Sequence, residues 1–133
     1  MFFKEKNIIK LPKWTYLIKT CNANELAPLD PDYMYYKAAA ICRRLYVNKT
    51  RKIGVGSLRS MFGRKFRRGC QPPCTSKASG KVIREICKQL KAADYVENCG
   101  TQDGQTTFGM LLKPNGKAEL DKIAAKIMKA RKH

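Results

Sequence analysis

Histidine is nearly absent from this 133-residue chain; the only one is His133, the last residue. A Cys–His or Ser–His nucleophilic pair needs an imidazole held in place, and a terminal residue holds it poorly. Acids are also scarce, ten Asp and Glu against 28 Lys and Arg. They are scattered or stand where they would cap helices, which leaves paired-carboxylate chemistry without a constellation. No apolar run approaches the roughly 18 residues of a membrane span. The opening MFFKEKNIIK has no apolar core of secretory length and no small-residue cleavage site, so no signal peptide is expected. These absences predict a non-enzymatic chain with no cofactor, no small-molecule substrate and no membrane partner. In the intracellular setting they imply, the six cysteines are expected to remain thiols.

What is present is a foldable, strongly basic chain. A hydrophobic fraction of 44% is enough for one modest core, and the length predicts a single domain over residues 1–133. The net charge of +18 predicts a polyanionic partner. Its distribution sharpens the point: thirteen lysines and arginines but one acid, Glu85, lie between Lys49 and Lys91. A merely solvated surface mixes both signs. Nucleic acid is the expected partner, with an anionic membrane surface or an acidic protein as alternatives.

The clearest element is DPDYMYYKAAAICRRLYVN, Asp30 to Asn48. Asp30 is a candidate N-cap and Pro31 suits the first helical position. Met34, Ala38, Ile41 and Leu45 recur at helical spacing with Tyr35, Ala39, Cys42 and Tyr46 beside them, a stripe wide enough to be buried on more than one side. Lys37 and Arg44 share the remaining narrow face, flanked by Arg43. Before this helix, a short one is expected from Pro12 to Thr20 with Trp14 in the core, then a connection anchored by Leu26. After it come a basic loop and the GVGS turn, with Ser57 capping a short helix that carries Leu58, Met61 and Phe62 and stops at Gly63. The lone GxG pair does not match the Walker or dinucleotide spacing.

Two stretches concentrate the cations. RKFRRGCQPPC, with Arg64, Lys65, Arg67 and Arg68, reads as an irregular loop broken by Gly69 and Pro72–Pro73, suited to lie along phosphates. Phe66 within it could stack on a base or anchor the loop in the core. From Ser76 to Ala93 a helix is expected in which Lys77, Lys81, Arg84, Lys88 and Lys91 fall within about 80° of one another, opposite Val82, Ile83, Ile86, Cys87 and Leu90. Such a stripe repels itself unless something neutralises it, and a phosphate backbone would. Strands are expected at Tyr95–Asn98 and Thr106–Leu112, turning at Asp103–Gly104, and a last helix from Pro114 with a stripe of Leu120, Ile123, Ala124, Ile127 and Met128. Helix, charged helix, hairpin is the order of a winged-helix module. The fold class expected is mainly α, a winged-helix-like helical domain with a small β-hairpin. Cys70, Cys74, Cys87 and Cys99 could supply a four-thiolate zinc site. Their spacing is loose, and a small buried hydrophobe explains Cys87, Cys42 and Cys21 equally well, so no metal is expected.

The ordered series ELAPLDPDYMYYKAAAICRRLY, IGVGSLRSMFG, SGKVIREICKQLKAADYVE and LLKPNGKAELDKIA resembles the e-type family of small-subunit ribosomal protein number nineteen of eukaryotes and archaea, over about Leu11 to Lys132. The resemblance implies a structural component of the small-subunit head that binds ribosomal RNA beside neighbouring ribosomal proteins and supports maturation of the subunit precursor. It also implies a cytoplasmic, ribosomal location with nucleolar passage during assembly. It places the family's central basic positions on Lys37, Arg43 and Arg44, and those of its loop and second basic helix on Arg59, Arg64, Lys77, Lys81 and Arg84. This chain departs from the pattern in its short N-terminal helix, of which FFKEK is the last turn. It also has Lys37 where arginine is common, which removes a bidentate phosphate contact, a longer and more basic loop from Asn48 to Lys52, and Lys113 before Pro114 where a hydroxyl cap is common. Competing readings are a winged-helix DNA-binding regulator using residues 77–91 as recognition helix and a zinc-stabilised adaptor. The lysine-rich stripe suits phosphates better than base edges.

Overall fold

The structure, a computed structural model, describes residues 2–48, 51–100 and 107–131, with backbone alone at 107 and 108. The expected Asp103–Gly104 turn and His133 lie outside the described residues. In chain order the elements are α1 (Phe2–Glu5), a 3₁₀ turn (Lys13–Leu17), α2 (Tyr33–Val47), α3 (Val55–Met61), β1 (Arg64–Arg68), β2 (Gln71–Ser76), α4 (Gly80–Ala92), β3 (Val96–Gly100), β4 (Thr107–Leu112) and α5 (Pro114–Arg131). The mainly helical class expected from sequence holds, with two antiparallel hairpins instead of one.

α2 is the core of the fold. Met34, Ala38, Ile41, Cys42 and Leu45 are all buried, and they meet the apolar face of α4, Val82, Ile83, Ile86, Cys87 and Leu90. Phe3, Ile9, Ile53, Leu58, Val96, Met110 and Leu112 close the cluster from α1 and the segment after it, from α3 and the segment before it, and from the β3–β4 hairpin. That hairpin pairs Val96 with Leu112 and Asn98 with Met110. A bridge between Ile53 and Met110, made by amides donating in both directions at 3.2 and 2.9 Å, fastens it to the segment before α3. α4 ends in a Schellman motif: the Tyr95 amide donates to the Leu90 carbonyl and the Asp94 amide to that of Lys91. Asp94 takes the left-handed position at φ 62°, which Asp tolerates better than most residues.

Several expected boundaries move. α2 begins at Tyr33: Asp30 and Pro31 form a preceding turn in which Asp30 Oδ1 accepts the Asp32 amide at 2.8 Å. α3 starts at Val55 behind Gly54, so Ser57 is inside the helix and caps nothing. The expected Pro12–Thr20 helix is one 3₁₀ turn whose buried residue is Thr15, held by its hydroxyl on Met34 Sδ at 3.4 Å. Trp14 is half-buried at the edge of the core, and Leu17 and Leu26 are exposed. The α5 stripe covers the core only as far as Leu120, while Ile127 and Met128 are more than half exposed.

The largest correction concerns residues 64–76. The basic loop is a regular hairpin, Arg64 opposite Ser76, Lys65 opposite Thr75 and Phe66 opposite Cys74, with a bulge before Arg68 pairs with Gln71. Gly69, at φ 68°, occupies the first of two turn positions, where a type II′ hairpin turn needs positive φ. Pro72 and Pro73 are tolerated because both lie where the bulge interrupts the ladder, between the Phe66–Cys74 and Arg68–Gln71 pairs, and one of the two turns its missing amide to the free edge of the ribbon. Phe66 is half-buried and not among the side chains packed on the core.

Candidate nucleic-acid interface

Charge is sorted by element. The ion pairs among the described residues are Lys4–Asp32 at 2.9 Å, Lys6–Glu119 at 2.8 Å and Lys113–Asp94. Asp32 and Asp94 hold their lysines above the ordinary lysine range by accepting a hydrogen bond. The Tyr46 hydroxyl donates to Asp121 at 2.7 Å. These contacts lie around α1, the two ends of α2, the turn that follows α4 and the region of α5. None of the ion pairs reaches α3, β1, β2 or α4. These elements carry a single acid, Glu85 on α4, which accepts a hydrogen bond from Gln89 at 3.0 Å; their cations have no ion-pair partner among the described residues, an arrangement that costs free energy unless an anion arrives.

The sequence-predicted residues fall into three groups on this surface. Arg43 and Arg44 are exposed on the outer side of α2, whose other side is the core, so burial of Ile41 and Leu45 fixes where they point. Lys37 lies a turn or two earlier and is half-buried, its Nζ 4.4 Å from the centre of the Phe62 ring. Burial first, and then the charge of Arg64, pull the Lys37 ammonium below the ordinary lysine range. The second group is the hairpin: Arg64, Lys65, Arg67 and Arg68 are all exposed, and Arg68 is braced by donating twice to the Pro72 carbonyl, at 3.1 and 2.8 Å.

The third group surrounds α4. Lys81, Arg84 and Lys88 are exposed along its outer face, continued by Lys91. Lys77 does not belong to this helical row, because α4 starts three residues later. The segment carrying Lys77 is instead pinned from both sides. The Ala78 amide donates to the Arg59 carbonyl at 2.9 Å and the Ser79 amide to the Thr20 carbonyl at 2.8 Å. Arg59 Nε returns a bond to the Ala78 carbonyl at 3.0 Å. A Cβ on Gly80 would lie 2.7 Å from Arg84 Nη1 and 3.3 Å from Arg59 Nε, so the two guanidiniums flank the start of α4. Lys81 Nζ sits 4.7 Å above the Trp14 ring.

The structure thus brings Lys37 to Arg64 and Arg59 to Arg84, and holds Lys37 and Lys81 over aromatic rings, contacts worth about 0.5–1 kcal/mol each at exposed sites. The sequence reading puts Trp14 in the core and Phe62 on the short helix after GVGS; nothing in their spacing shows that they carry cations. The four cysteines considered for zinc are divided between an exposed hairpin (Cys70, Cys74), the buried face of α4 (Cys87) and β3 (Cys99). Among the described residues no three His, Cys, Asp or Glu gather as a metal site would require, and no helix is long and apolar enough to cross a membrane.

Comparison with known proteins points the same way along nearly the whole chain. A family model described as ribosomal protein S19e matches residues 1–130. Small ribosomal subunit protein eS19 of Mya arenaria is 35% identical over 126 residues, covering 95% of this chain and 79% of the relative. Protein eS19 of Oryza sativa subsp. japonica is 34% identical over 124 residues, 93% of this chain and 80% of the relative. Protein eS19G of Ascaris suum is 38% identical over 126 residues, 95% and 80% respectively.

Proposed function

Because this chain belongs to the ribosomal protein S19e family, whose members are structural and non-enzymatic, we propose that it is a structural constituent of the small ribosomal subunit, bound to ribosomal RNA in the head. It acts as one domain over residues 1–133, beside neighbouring ribosomal proteins. It works in cytoplasmic ribosomes after nucleolar passage, and its binding supports maturation of the small-subunit RNA. The observation that carries the RNA contact is the segregation of charge: no ion pair among the described residues reaches α3, β1, β2 or α4.

Arg43 and Arg44 contact phosphates from α2, with Lys37 set deeper as a fixed charge beside Arg64. The β1–β2 hairpin lays Arg64, Lys65, Arg67 and Arg68 along the backbone. Arg59, Lys77, Lys81, Arg84 and Lys88 extend the surface across the start and outer face of α4. RNA helices present phosphates and 2′-hydroxyls across a shallow minor groove, while side chains cannot read their deep major groove. Binding should therefore depend steeply on salt and weakly on sequence. Arg43→Gln, Arg44→Gln, Lys81→Gln and Arg84→Gln are each expected to lower the slope of log affinity against log salt by about one unit, measured with small-subunit RNA. Slopes that stay at the wild-type value would remove these residues from the footprint. Sedimentation tests the cellular assignment: the chain should travel with small subunits in moderate salt, and recovery only with chromatin would refute it.

A further inference from the structure

A cleft of about 310 Å³ lies where α4, the start of α3 and the β3–β4 hairpin meet. One rim is cationic. Arg84, Lys88 and Lys91 line it from a single face of α4, and none of them has an acidic partner among the described residues. The floor is apolar and contains sulfur, built from Cys87 and Met110 with Val55 beside them. Asn98, directly opposite Met110 in the hairpin, brings to the far wall an amide with no hydrogen-bond partner among the described residues.

A cationic rim alone would suit phosphates of any RNA. A cleft adds something a duplex cannot use, because paired bases stay in their stack. We propose that this cleft receives a single unstacked nucleotide of the bound RNA. The base lies on the Met110–Cys87–Val55 floor, where sulfur–aromatic contact is favourable. Asn98 offers one donor and one acceptor to the base edge, and Lys88, Lys91 and Arg84 hold the flanking phosphates. The volume is at the lower end of small-molecule sites, about 300–1,000 Å³, room for one nucleotide and not for several. This inference rests on the RNA-binding reading above and adds that part of the target must be single-stranded or bulged.

Gly54 makes the test clean. It lines the cleft, its backbone is extended at φ −83° and ψ 164°, and a Cβ built on it meets nothing within 4 Å. Gly54→Leu therefore starts a side chain at a cleft-lining position where the added Cβ displaces none of the protein's own atoms, and neither it nor Asn98→Ala, at an exposed position, alters charge. The full chain is titrated with a short RNA stem carrying one bulged fluorescent purine analogue and with the same stem fully paired, at several salt concentrations. The expected result is tighter binding of the bulged stem by about fivefold or more, the scale of one base–protein stacking contact, with analogue emission changing on binding. Both variants should erase that preference and the emission change while keeping the salt slope. Equal binding of the two stems with constant emission and a steep salt slope would overturn the nucleotide cleft and leave the RNA-binding reading standing. So would a preference that survives in both variants. Absence of salt-dependent binding to either stem would overturn both readings.

Discussion

Two glycines in neighbouring turns of the same segment should respond oppositely to the same added methyl. Gly63 links α3 to β1, and its amide donates to the Ser60 carbonyl at 3.2 Å. A Cβ there would stand 2.5 Å from the Ser76 carbonyl oxygen and 3.2 Å from that of Ser60. Both neighbours are backbone. Ser76 is fixed as the ladder partner of Arg64 and also accepts from the Cys21 thiol at 3.5 Å. Gly63→Ala must therefore push the base of the hairpin away from α3, a distortion in the overpacking range of about 1–3 kcal/mol. Gly56 sits within α3, and its Cβ would meet nothing within 4 Å. Gly56→Ala removes backbone entropy from the unfolded chain and should add about 0.5–1 kcal/mol. For a chain of this size 1 kcal/mol is worth about 3–5 °C in melting temperature. Scanning calorimetry should then show Gly63→Ala melting about 3–15 °C lower and Gly56→Ala about 2–5 °C higher. Urea titrations should move the midpoints in the same directions with unchanged slopes. A Gly63→Ala protein as stable as the wild type, or shifts of one sign for both variants, would refute the steric argument.

Stability and RNA contact should separate on α2. Ile41→Ala, at a fully buried position, should cost about 2–5 kcal/mol in urea unfolding, whereas Arg43→Gln, exposed one turn face away, should stay within about 0.5 kcal/mol. On the acid side, Glu119 is held below the ordinary glutamate range by the Lys6 ammonium and the Tyr95 hydroxyl, which donate to it at 2.8 and 2.7 Å. A carboxyl depressed on folding adds stability that is complete above its unfolded value and fades as pH falls through the folded one. Glu119→Gln should therefore flatten the acid limb of melting temperature against pH, and an unaltered limb would assign that loss to other groups. Thiol reagent at neutral pH should label Cys70 and Cys74 quickly. Cys42 and Cys87, pushed up to about 12 and about 11 chiefly by burial, should react only as fast as the core opens; equal rates for all four would contradict the packing.

What the sequence revealed depended on whether the governing interaction was local. The buried faces of α2 and α4 were legible because Met34, Ala38, Ile41 and Leu45, and Val82, Ile83, Ile86 and Leu90, repeat at the helical period and end in the core. The start of α4 was misread because Ala78 and Ser79 are claimed by Arg59 and Thr20, partners that no local pattern announces. The β1–β2 hairpin escaped because almost every residue in it is exposed on both faces. No alternation was available, and its one signal was a glycine at the first position of a two-residue turn. The excess of cations was plain in composition. Its concentration between Lys49 and Lys91 was equally plain; what was hidden is that acids elsewhere are taken, Asp32 by Lys4 and Glu119 by Lys6. The pairing of Lys37 with Phe62 was hidden for the same reason.

The hairpin's lack of an apolar face has a thermodynamic consequence. A two-stranded ribbon with neither face on the core is marginally stable in water, so its opening free energy sits near the bottom of the range that a folded domain spans. Amides of Phe66 and Cys74 should exchange with solvent long before those of Ile86 on α4. The four cations of β1 are thus carried on an exposed ribbon, while Arg43 and Arg44 stand on a helix whose other face is buried in the core. Ordering the ribbon on a polyanion subtracts entropy from the affinity and in return lets the cations conform to a backbone whose curvature the rigid helices cannot follow.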